Sequence, residues 1–246
     1  MRDEEDIRVL LIAAHPDDAE LSCGGTVAKW TAAGRLVHYV ICTNGDKGTH
    51  DHQLSPYRLA EMREAEQRAA AEHLGVKEVI FLRHRDGELE SSMALRAELA
   101  MLIRHFRPQI ICTHDGWRPY QIHPDHRVVG VTTCDAIVAA RDHLFLPAMA
   151  AIGLNEHAPS ELYLWSTDSP DYFEDISEVV ERKIEAVSRH RSQLPQMPGW
   201  EDRVRQWAAE TGRQAGVPYA EGFKRIQFRP AGHVYPNHKN GRTDRS

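Results

Sequence analysis

The apolar residues in the first half of the chain occur in short continuous runs that are separated by longer, more polar stretches. These runs predict strands at 7–13 (IRVLLIA), 37–43, 78–82 and 109–113. A nearly continuous aliphatic run is typical of a strand that is buried on both faces of a parallel sheet. The stretches between the runs predict helices that end at about residue 33, span 56–74 and 93–106, and end at about residue 141. Strands that alternate with helices at this pitch indicate a doubly wound sheet.

The second half of the chain has weaker patterns. They predict strands at 161–165 and 173–176 and helices at 177–190 and 200–211. We expect an α/β protein with a three-layer α/β/α, Rossmann-like fold and a mostly parallel sheet. Residues 1–246 would form a single domain, with a core over about 5–145, a C-terminal cap over about 146–228 and a polar tail over 229–246.

The composition narrows the class of protein. The chain has 246 residues, 41% of them apolar, and a net charge of −6. It therefore lacks the basic excess that nucleic acids and anionic membranes attract, and we expect neither as a partner. Four cysteines without CxxC spacing indicate buried thiols in a reducing compartment, and the N-terminus lacks the cationic start of a signal peptide. We expect a cytoplasmic protein, and these features leave a homo-oligomer open.

Two short motifs carry the candidate chemistry. HPDD at 15–18 directly follows the first predicted strand, and HPDH at 123–126 follows the fourth by a short loop. Open α/β sheets bind ligands at the carboxyl ends of their strands. Each motif alone is also typical of a capped helix start, with Asp at the N-cap and Pro at the first helical position. The presence of both motifs at the same predicted edge favours a functional site.

Histidine and aspartate in these motifs form a set that suits a catalytic metal. A catalytic zinc has three protein ligands and an open position, and both imidazole and carboxylate bind it. His15, Asp18 and one histidine of the second motif, either His123 or His126, supply three ligands. Asp17 is then free to take a proton from water that the metal activates. The remaining histidine is free to donate to the leaving group or to stabilise the developing oxyanion.

The sequence around the two motifs resembles a known family. AHPDDAELSCGGT, followed about a hundred residues later by HPDHR, is similar to the LmbE-like or PIG-L-type N-acetylglucosaminyl deacetylases. Further matches follow in the same order: TNGDKGT (43–49), MREAEQRAAAEHLGV (62–76), DG (86–87), KIEAVSRHRSQL (183–194) and YAEGF (219–223). The resemblance thus extends over nearly the whole chain.

This resemblance implies a hydrolase that removes the N-acetyl group from an N-acetylglucosamine-type sugar or glycoconjugate, a small-molecule partner. It implies one Zn²⁺ per chain, with Fe²⁺ as an alternative in the cell. The implied metal ligands are His15, Asp18 and His126. Asp17 would be the general base, His123 would assist the tetrahedral intermediate, and Arg63 would bind the substrate.

Two other functions stay open at this stage. Two histidines and one carboxylate also bind ferrous iron in oxygenases, although those sites usually occur in all-β proteins. A non-catalytic sugar-binding module would keep the fold, but it would have no need of Asp17. Family members that make thiol precursors often carry Tyr or Gly where Gln121 and Ile122 stand here, so the resemblance leaves the aglycone open.

Residues outside the two motifs receive simpler interpretations. Three histidines are expected at the surface or at the rim of the site: His50, His52 and His114. His190 fits a charge near the C-terminus of a helix, where the helix dipole favours it. Arg63 fits a solvated helix charge as well as a substrate contact. Cys23 is expected to pack beside two glycines, and the GG pair lacks the spacing of a dinucleotide-binding loop.

Overall fold

Seven strands and six α-helices occur in residues 7–228, the part of the chain that the computed structural model describes. The strands are β1 (Arg8–Ala13), β2 (Leu36–Thr43), β3 (Glu78–His84), β4 (Ile110–His114), β5 (Glu161–Trp165), β6 (Tyr172–Asp175) and β7 (Ala220–Gln227). The helices are α1 (Asp18–Ala32), α2 (Pro56–Leu74), α3 (Met93–Phe106), α4 (Pro124–Arg141), α5 (Val180–Val187) and α6 (Trp200–Ala215). The predicted polar tail at 229–246 lies outside the described residues.

The strands form one mixed sheet in the order β3-β2-β1-β4-β5-β7-β6. β1 pairs in parallel with β2 and with β4, and β3 and β5 continue the parallel pairing on either side. Alternate residues of β1 enter two separate hydrophobic clusters. Leu10 and Ile12 pack with residues of α3 and α4, whereas Val9 and Leu11 pack with residues of α1 and α2. The sheet is therefore covered on both faces, which confirms the expected three-layer α/β fold.

The C-terminal region contains a strand that the sequence patterns did not predict. β7 lies between β5 and β6 and is antiparallel to both. Its sequence, AEGFKRIQ, mixes small, charged and apolar residues and lacks the aliphatic run of the earlier strands. The helix expected over 177–190 is shorter, because α5 covers only Val180–Val187, and α6 continues past the expected end to Ala215. The residues expected to cap the sheet thus also extend it.

Helix α1 is interrupted at Cys23, whose backbone angles (φ −145°, ψ 23°) are not helical. The backbone N–H groups of Gly25 and Thr26, just after this break, donate to the two carboxylate oxygens of Glu221 at 3.0 and 2.7 Å. A Cβ atom on Gly25 would lie 2.8 Å from the side chain of Ile176, so only glycine fits. The GG pair therefore serves packing and an anion contact within the chain, and Cys23 packs beside it as expected.

All four cysteines are free thiols, and three of them are buried; Cys134 is only partly buried, contrary to the expectation that all would be buried. None of the helices within residues 7–228 combines the length and the apolar content that crossing a bilayer requires.

Candidate metal centre

The two motifs lie at neighbouring carboxyl ends of the sheet. HPDD follows β1 and leads into α1, and HPDH leads into α4, which follows β4. Asp17 and His123 occupy the N-cap positions of these helices, but neither side chain makes a capping hydrogen bond. The capping interpretation of the motifs is therefore wrong for their side chains, which are directed to other partners.

Three side chains of the predicted ligand set converge. His15 Nδ1 lies 3.3 Å from a carboxylate oxygen of Asp18 and 3.2 Å from Nε2 of His126. His126 Nε2 in turn lies 3.3 Å from the other oxygen of Asp18. Zinc bonds of 2.0–2.2 Å in a tetrahedral arrangement place neighbouring ligand atoms about 3.3–3.6 Å apart. The separations among these three side chains therefore fit a divalent metal between them.

The outer nitrogen of His15 is bound on the opposite side of the ring. His15 Nε2 lies 3.1 Å from a carboxylate oxygen of Asp86 and 3.1 Å from one of Asp125. Burial lowers the pKa of His15, but hydrogen bonds to Asp125, Asp18 and Asp86 outweigh it and raise the pKa well above its ordinary value. A carboxylate behind a histidine fixes the ring so that its other nitrogen faces the metal. The arrangement leaves Nδ1 of His15 free to face a metal ion on the side of Asp18 and His126.

Asp17 is next to the ligand set but has different partners. Its backbone is in the left-handed region, with φ 104°, which is rare for a residue other than glycine. The Asp17 N–H donates to Oε1 of Gln67 at 2.9 Å, and its carboxylate accepts from Nη2 of Arg63 at 3.2 Å. Such strained conformations persist where surrounding contacts fix them, and they cluster at functional sites. Asp17 is thus positioned beside the predicted ligand set by two side chains of helix α2, Arg63 and Gln67.

Arg63 is a buried residue and not a solvated helix charge. Its guanidinium donates to the carbonyls of Pro16 and Gly45 as well as to Asp17, and the residue is 4% exposed. A Cβ atom on Gly45 would lie 2.5 Å from the guanidinium, and φ at Gly45 is +62°. Glycine at this position therefore allows the TNGDKGT loop to approach Arg63 closely. Arg63 therefore joins the HPDD turn, the loop after β2 and helix α2.

Residues 10–137 match the family described as PIG-L: GlcNAc-PI de-N-acetylase. A diacetylchitobiose deacetylase from Thermococcus kodakarensis is 38% identical over 219 residues, with 88% of this chain and 82% of the relative covered. The chain belongs to the PIG-L family. The LmbE-like resemblance of its motifs is thereby confirmed.

Other PIG-L relatives agree over most of the chain. The 1D-myo-inositol 2-acetamido-2-deoxy-alpha-D-glucopyranoside deacetylase of Mycobacterium sp. (strain JLS) is 29% identical over 238 residues, with 78% of this chain and 75% of the relative covered. The solved structure of N,N'-diacetylchitobiose deacetylase from Pyrococcus horikoshii superposes with a TM-score of 0.87 at 36% identity and covers 91% of this chain and 85% of that chain. The fold of this PIG-L family chain is therefore that of known deacetylase structures.

His114 lies inside the site and not at its surface or rim, which corrects the expectation from sequence. It is 2% exposed, because it is the last residue of the buried strand β4, and its Nε2 lies 3.3 Å from Asp18. The indole N–H of Trp165 donates to its Nδ1 at 3.1 Å, and the backbone N–H of Ala14 donates to its Nε2 at 3.2 Å. Burial lowers the pKa of His114 to about 4, which keeps the ring neutral. His50 and His52 are exposed, as expected.

His190 is buried and lies beyond the end of α5, so the helix-dipole interpretation is wrong. Its Nε2 lies 3.1 Å from Oε2 of Glu20, and the other oxygen of Glu20 accepts from Gln67 at 2.9 Å. Gln67 also binds the N–H of Asp17, so a chain of hydrogen bonds joins His190 to the HPDD turn. Burial raises the pKa of Asp17, while the positive charge of Arg63 opposes that rise.

His123 is the most exposed histidine of the second motif. Its side chain is 40% exposed, its ring stacks on His126 at 4.8 Å, and its Nε2 lies 3.8 Å from Asp86. Partial burial, followed by the charges of His15 and His126, lowers its pKa. The structure therefore places His123 beside the ligand set at the solvent side, and it brings all six predicted site residues into one cluster.

Proposed function

We propose that this PIG-L family protein is a zinc-dependent hydrolase that removes the N-acetyl group from an N-acetylglucosamine-type sugar or glycoconjugate. The observation that supports this most directly is the convergence of three side chains next to a carboxylate that is not part of the set. His15 Nδ1 and His126 Nε2 lie 3.2 Å apart, and each lies 3.3 Å from one of the two oxygens of Asp18. Such a set leaves an open metal position and supplies a base, as hydrolysis requires. The names of the relatives also describe N-acetylated amino sugars.

His15, Asp18 and His126 would bind the ion, with Asp86 and Asp125 fixing His15 and with His114 fixing Asp18. A zinc ion bound there supplies Lewis-acid chemistry, which polarises a carbonyl and makes water more acidic. The donors are imidazole nitrogens and carboxylate oxygens, which also suit ferrous iron, so Fe²⁺ is the alternative ion in the cell.

Asp17 takes the proton of the attacking water in this proposal. Its carboxylate is only partly exposed, and burial raises its pKa, which makes it a better proton acceptor than an ordinary aspartate. Arg63 keeps the carboxylate in place through the 3.2 Å contact, and Gln67 fixes the backbone behind it. Arg63 is already bonded to three groups of the chain, which supports a role in positioning Asp17 in addition to the substrate binding that the family resemblance implies.

His123 assists the collapse of the tetrahedral intermediate. Its ring is at the solvent side of the cluster, where a substrate can reach it, and its Nδ1 is a buried atom without a hydrogen-bond partner among the described residues. In its protonated form it donates to the amine that leaves or to the oxyanion. The proton that Asp17 accepts and the proton that His123 donates together convert an amide and water into acetate and an amine.

The test is acetate release from N-acetylglucosamine and N,N'-diacetylchitobiose by the purified protein. We expect hydrolysis that stops after chelation and returns when Zn²⁺ is added. His126→Ala should lose most of the bound metal and the activity, whereas His50→Ala, a change at an exposed histidine, should keep both. Full metal occupancy in His126→Ala would remove His126 from the ligand set, and no acetate from any N-acetyl sugar would refute the proposed reaction.

The two alternatives have distinct outcomes in the same assay. An oxygenase with ferrous iron needs oxygen, so hydrolysis under strictly anaerobic conditions excludes it. A non-catalytic sugar-binding module would bind the sugar without releasing acetate. Asp17 argues against the module, because a binding site has no need of a strained carboxylate beside the ligands.

A further inference from the structure

The break in helix α1 separates a short first segment, residues 18–22, from the rest of the helix. Asp18, one of the proposed metal ligands, is the first residue of this segment, and Cys23 is the residue with non-helical backbone angles. So short a segment is not a stable helix by itself, because helices in water need about 12–15 residues. Contacts with other parts of the chain must therefore hold the segment and, with it, the carboxylate of Asp18.

A buried ion pair lies across the break. Lys183 Nζ donates to the carbonyl oxygen of Leu21, on the N-terminal side of the break, at 2.8 Å, and to Oε1 of Glu221 at 2.5 Å. Glu221 accepts from the N–H groups of Gly25 and Thr26, on the C-terminal side, at 3.0 and 2.7 Å. Lys183 and Glu221 are each 4% exposed. The pair thus bonds both of the helix ends that the break creates.

The signs of the two charges match these helix ends. The end of a helix leaves carbonyl oxygens without partners and favours a cation, whereas the start of a helix leaves N–H groups without partners and favours an anion. Lys183 binds the end of the first segment, and Glu221 binds the start of the second. The pair therefore stabilises the break itself, which a continuous helix would not need.

The short segment is also held at Glu20, which is fully buried. The two oxygens of Glu20 lie 2.9 Å from Nε2 of Gln67 and 3.1 Å from Nε2 of His190. Gly24 allows the stem of Lys183 to pass close to the break, because a Cβ atom on Gly24 would lie 3.3 Å from Cγ of Lys183. Side chains from α2, from α5 and from the residues after α5 thus fix the segment that begins with Asp18.

Two motifs of the family resemblance supply most of these contacts. Lys183 and His190 belong to KIEAVSRHRSQL (183–194), and Glu221 belongs to YAEGF (219–223). Neither motif contributes a proposed metal ligand, base or acid. Both act on residues 20–26 of α1, so the region after the parallel half of the sheet contacts the segment that carries Asp18.

We infer that Lys183 and Glu221 are positioning residues of the metal site, which hold the break in α1 so that Asp18 stays within reach of His15 and His126. The inference rests on the proposed metal-dependent function. The Asp18 oxygens lie 3.3 Å from nitrogen atoms of both histidines, and a rotation of the short segment would move the oxygens away from them. Loss of the ion pair should therefore weaken metal binding, although neither residue is a ligand.

The experiment measures Zn²⁺ affinity by competition with a chelator, together with the visible absorption of the Co²⁺-loaded protein, which depends on the geometry of the ligands. Lys183→Met removes the cation and keeps a flexible apolar stem. We expect its Zn²⁺ affinity to fall about tenfold, at the lower end of the range for groups that orient a metal ligand, and its Co²⁺ spectrum to change. Lys183→Arg can still donate to Leu21 and Glu221, so its affinity and spectrum should stay near those of the wild type.

Arg104→Met is the matched control. Arg104 is also a buried cation, 3% exposed, and it donates to carbonyl oxygens near the end of α4, among them those of Ala139 and Ala140. His126 lies in the first turn of α4, at the other end of that helix. We expect Arg104→Met to lower the unfolding temperature but to leave Zn²⁺ affinity and the Co²⁺ spectrum unchanged at a temperature where the protein is folded. An equal loss of affinity in Arg104→Met and Lys183→Met would attribute the loss to general destabilisation and overturn the inference.

Glu221→Gln provides the test if Lys183→Met does not fold. A Gln side chain has one acceptor oxygen for two N–H groups and no charge for Lys183, so Zn²⁺ affinity should fall in this variant as well. Wild-type affinity and an unchanged Co²⁺ spectrum in Lys183→Met, or in Glu221→Gln where only that variant folds, overturn the inference while the metal site stands. A wild-type protein that binds no Zn²⁺ overturns the proposed function and the inference together.

Discussion

Replacement of Asp17 by Asn removes the proposed base and keeps the size of the side chain. The backbone of Asp17 is left-handed, with φ 104°, and Asn adopts such angles more readily than most residues. An Asn oxygen can still accept from Arg63, and the backbone N–H can still donate to Gln67. We therefore expect the Asp17→Asn protein to fold like the wild type.

The expected loss is catalytic. An Asn side chain cannot accept a proton, so kcat should fall about 10²–10⁴-fold, the usual contribution of a positioned general base. This fall corresponds to about 3–5 kcal/mol in the activation barrier. The carboxylate of Asp17 contacts Arg63 and is not one of the three converging side chains. Metal content should therefore stay near that of the wild type.

Asp18→Asn is the matched control, because the same chemical change one residue later has a different expected result. The Asp18 oxygens lie 3.3 Å from nitrogen atoms of three histidines, His15, His114 and His126. An amide in this position removes the negative charge that attracts the cation. Changes to groups that only support a ligand cost about 10–100-fold in metal affinity, so loss of the ligand itself should cost at least as much.

The assay measures metal per chain by elemental analysis, metal affinity by competition with a chelator, and acetate release at saturating substrate. Circular dichroism and thermal unfolding of both variants check that the fold is retained. If Asp17→Asn loses the metal while Asp18→Asn keeps it, the two roles are reversed. If both variants keep the metal and full activity, the reasoning about the whole site is refuted.

Three further predictions concern the neighbours of these residues. Burial is the largest cause that lowers the pKa of His123, so a rate that needs protonated His123 should fall as pH rises through that lowered pKa. His123→Ala should lose this alkaline limb of the pH–rate profile. An unchanged profile would assign the limb to another group. Gln67→Leu removes the partner of the Asp17 N–H and one partner of the buried Glu20 carboxylate. The free energy of unfolding in urea should therefore fall by about 2–4 kcal/mol, and kcat should fall as well. Wild-type stability would refute this role. The pKa of His114 is about 4 in the folded protein and 6.5 in the unfolded chain. Between these two pH values the unfolded chain binds more protons than the folded protein. The metal-free protein should therefore lose about 3 kcal/mol of its free energy of unfolding as pH falls from 6.5 to 4. His114→Gln should lack that share of the pH dependence in urea unfolding, and an equal slope in both proteins would contradict it.

The sequence by itself determined the parallel half of the sheet and the position of the motifs. β1, β2 and β4 are covered on both faces of the sheet, so their sequences are continuous aliphatic runs and do not alternate between apolar and polar residues. Such runs predict buried strands directly. Helices α2 and α3 begin where expected because Ser55 and Ser92 cap them through local hydrogen bonds. The convergence of the two motifs then follows from the rule that the carboxyl ends of parallel strands meet at one edge.

Only the tertiary structure decided the surroundings of the ligands, because these depend on contacts between residues that are far apart in the sequence. His114 is buried because β5 places Trp165 beside it, 51 residues later. Arg63 is buried because the loop after β2 and the HPDD turn both close on it, and no pattern in α2 distinguishes it from a solvated arginine. β7 pairs antiparallel with β5 on one side and with β6 on the other, although its own sequence lacks the alternation of apolar and polar residues that predicts a strand. Local patterns determine which element forms, whereas burial and charge at the site depend on which distant elements the fold brings together.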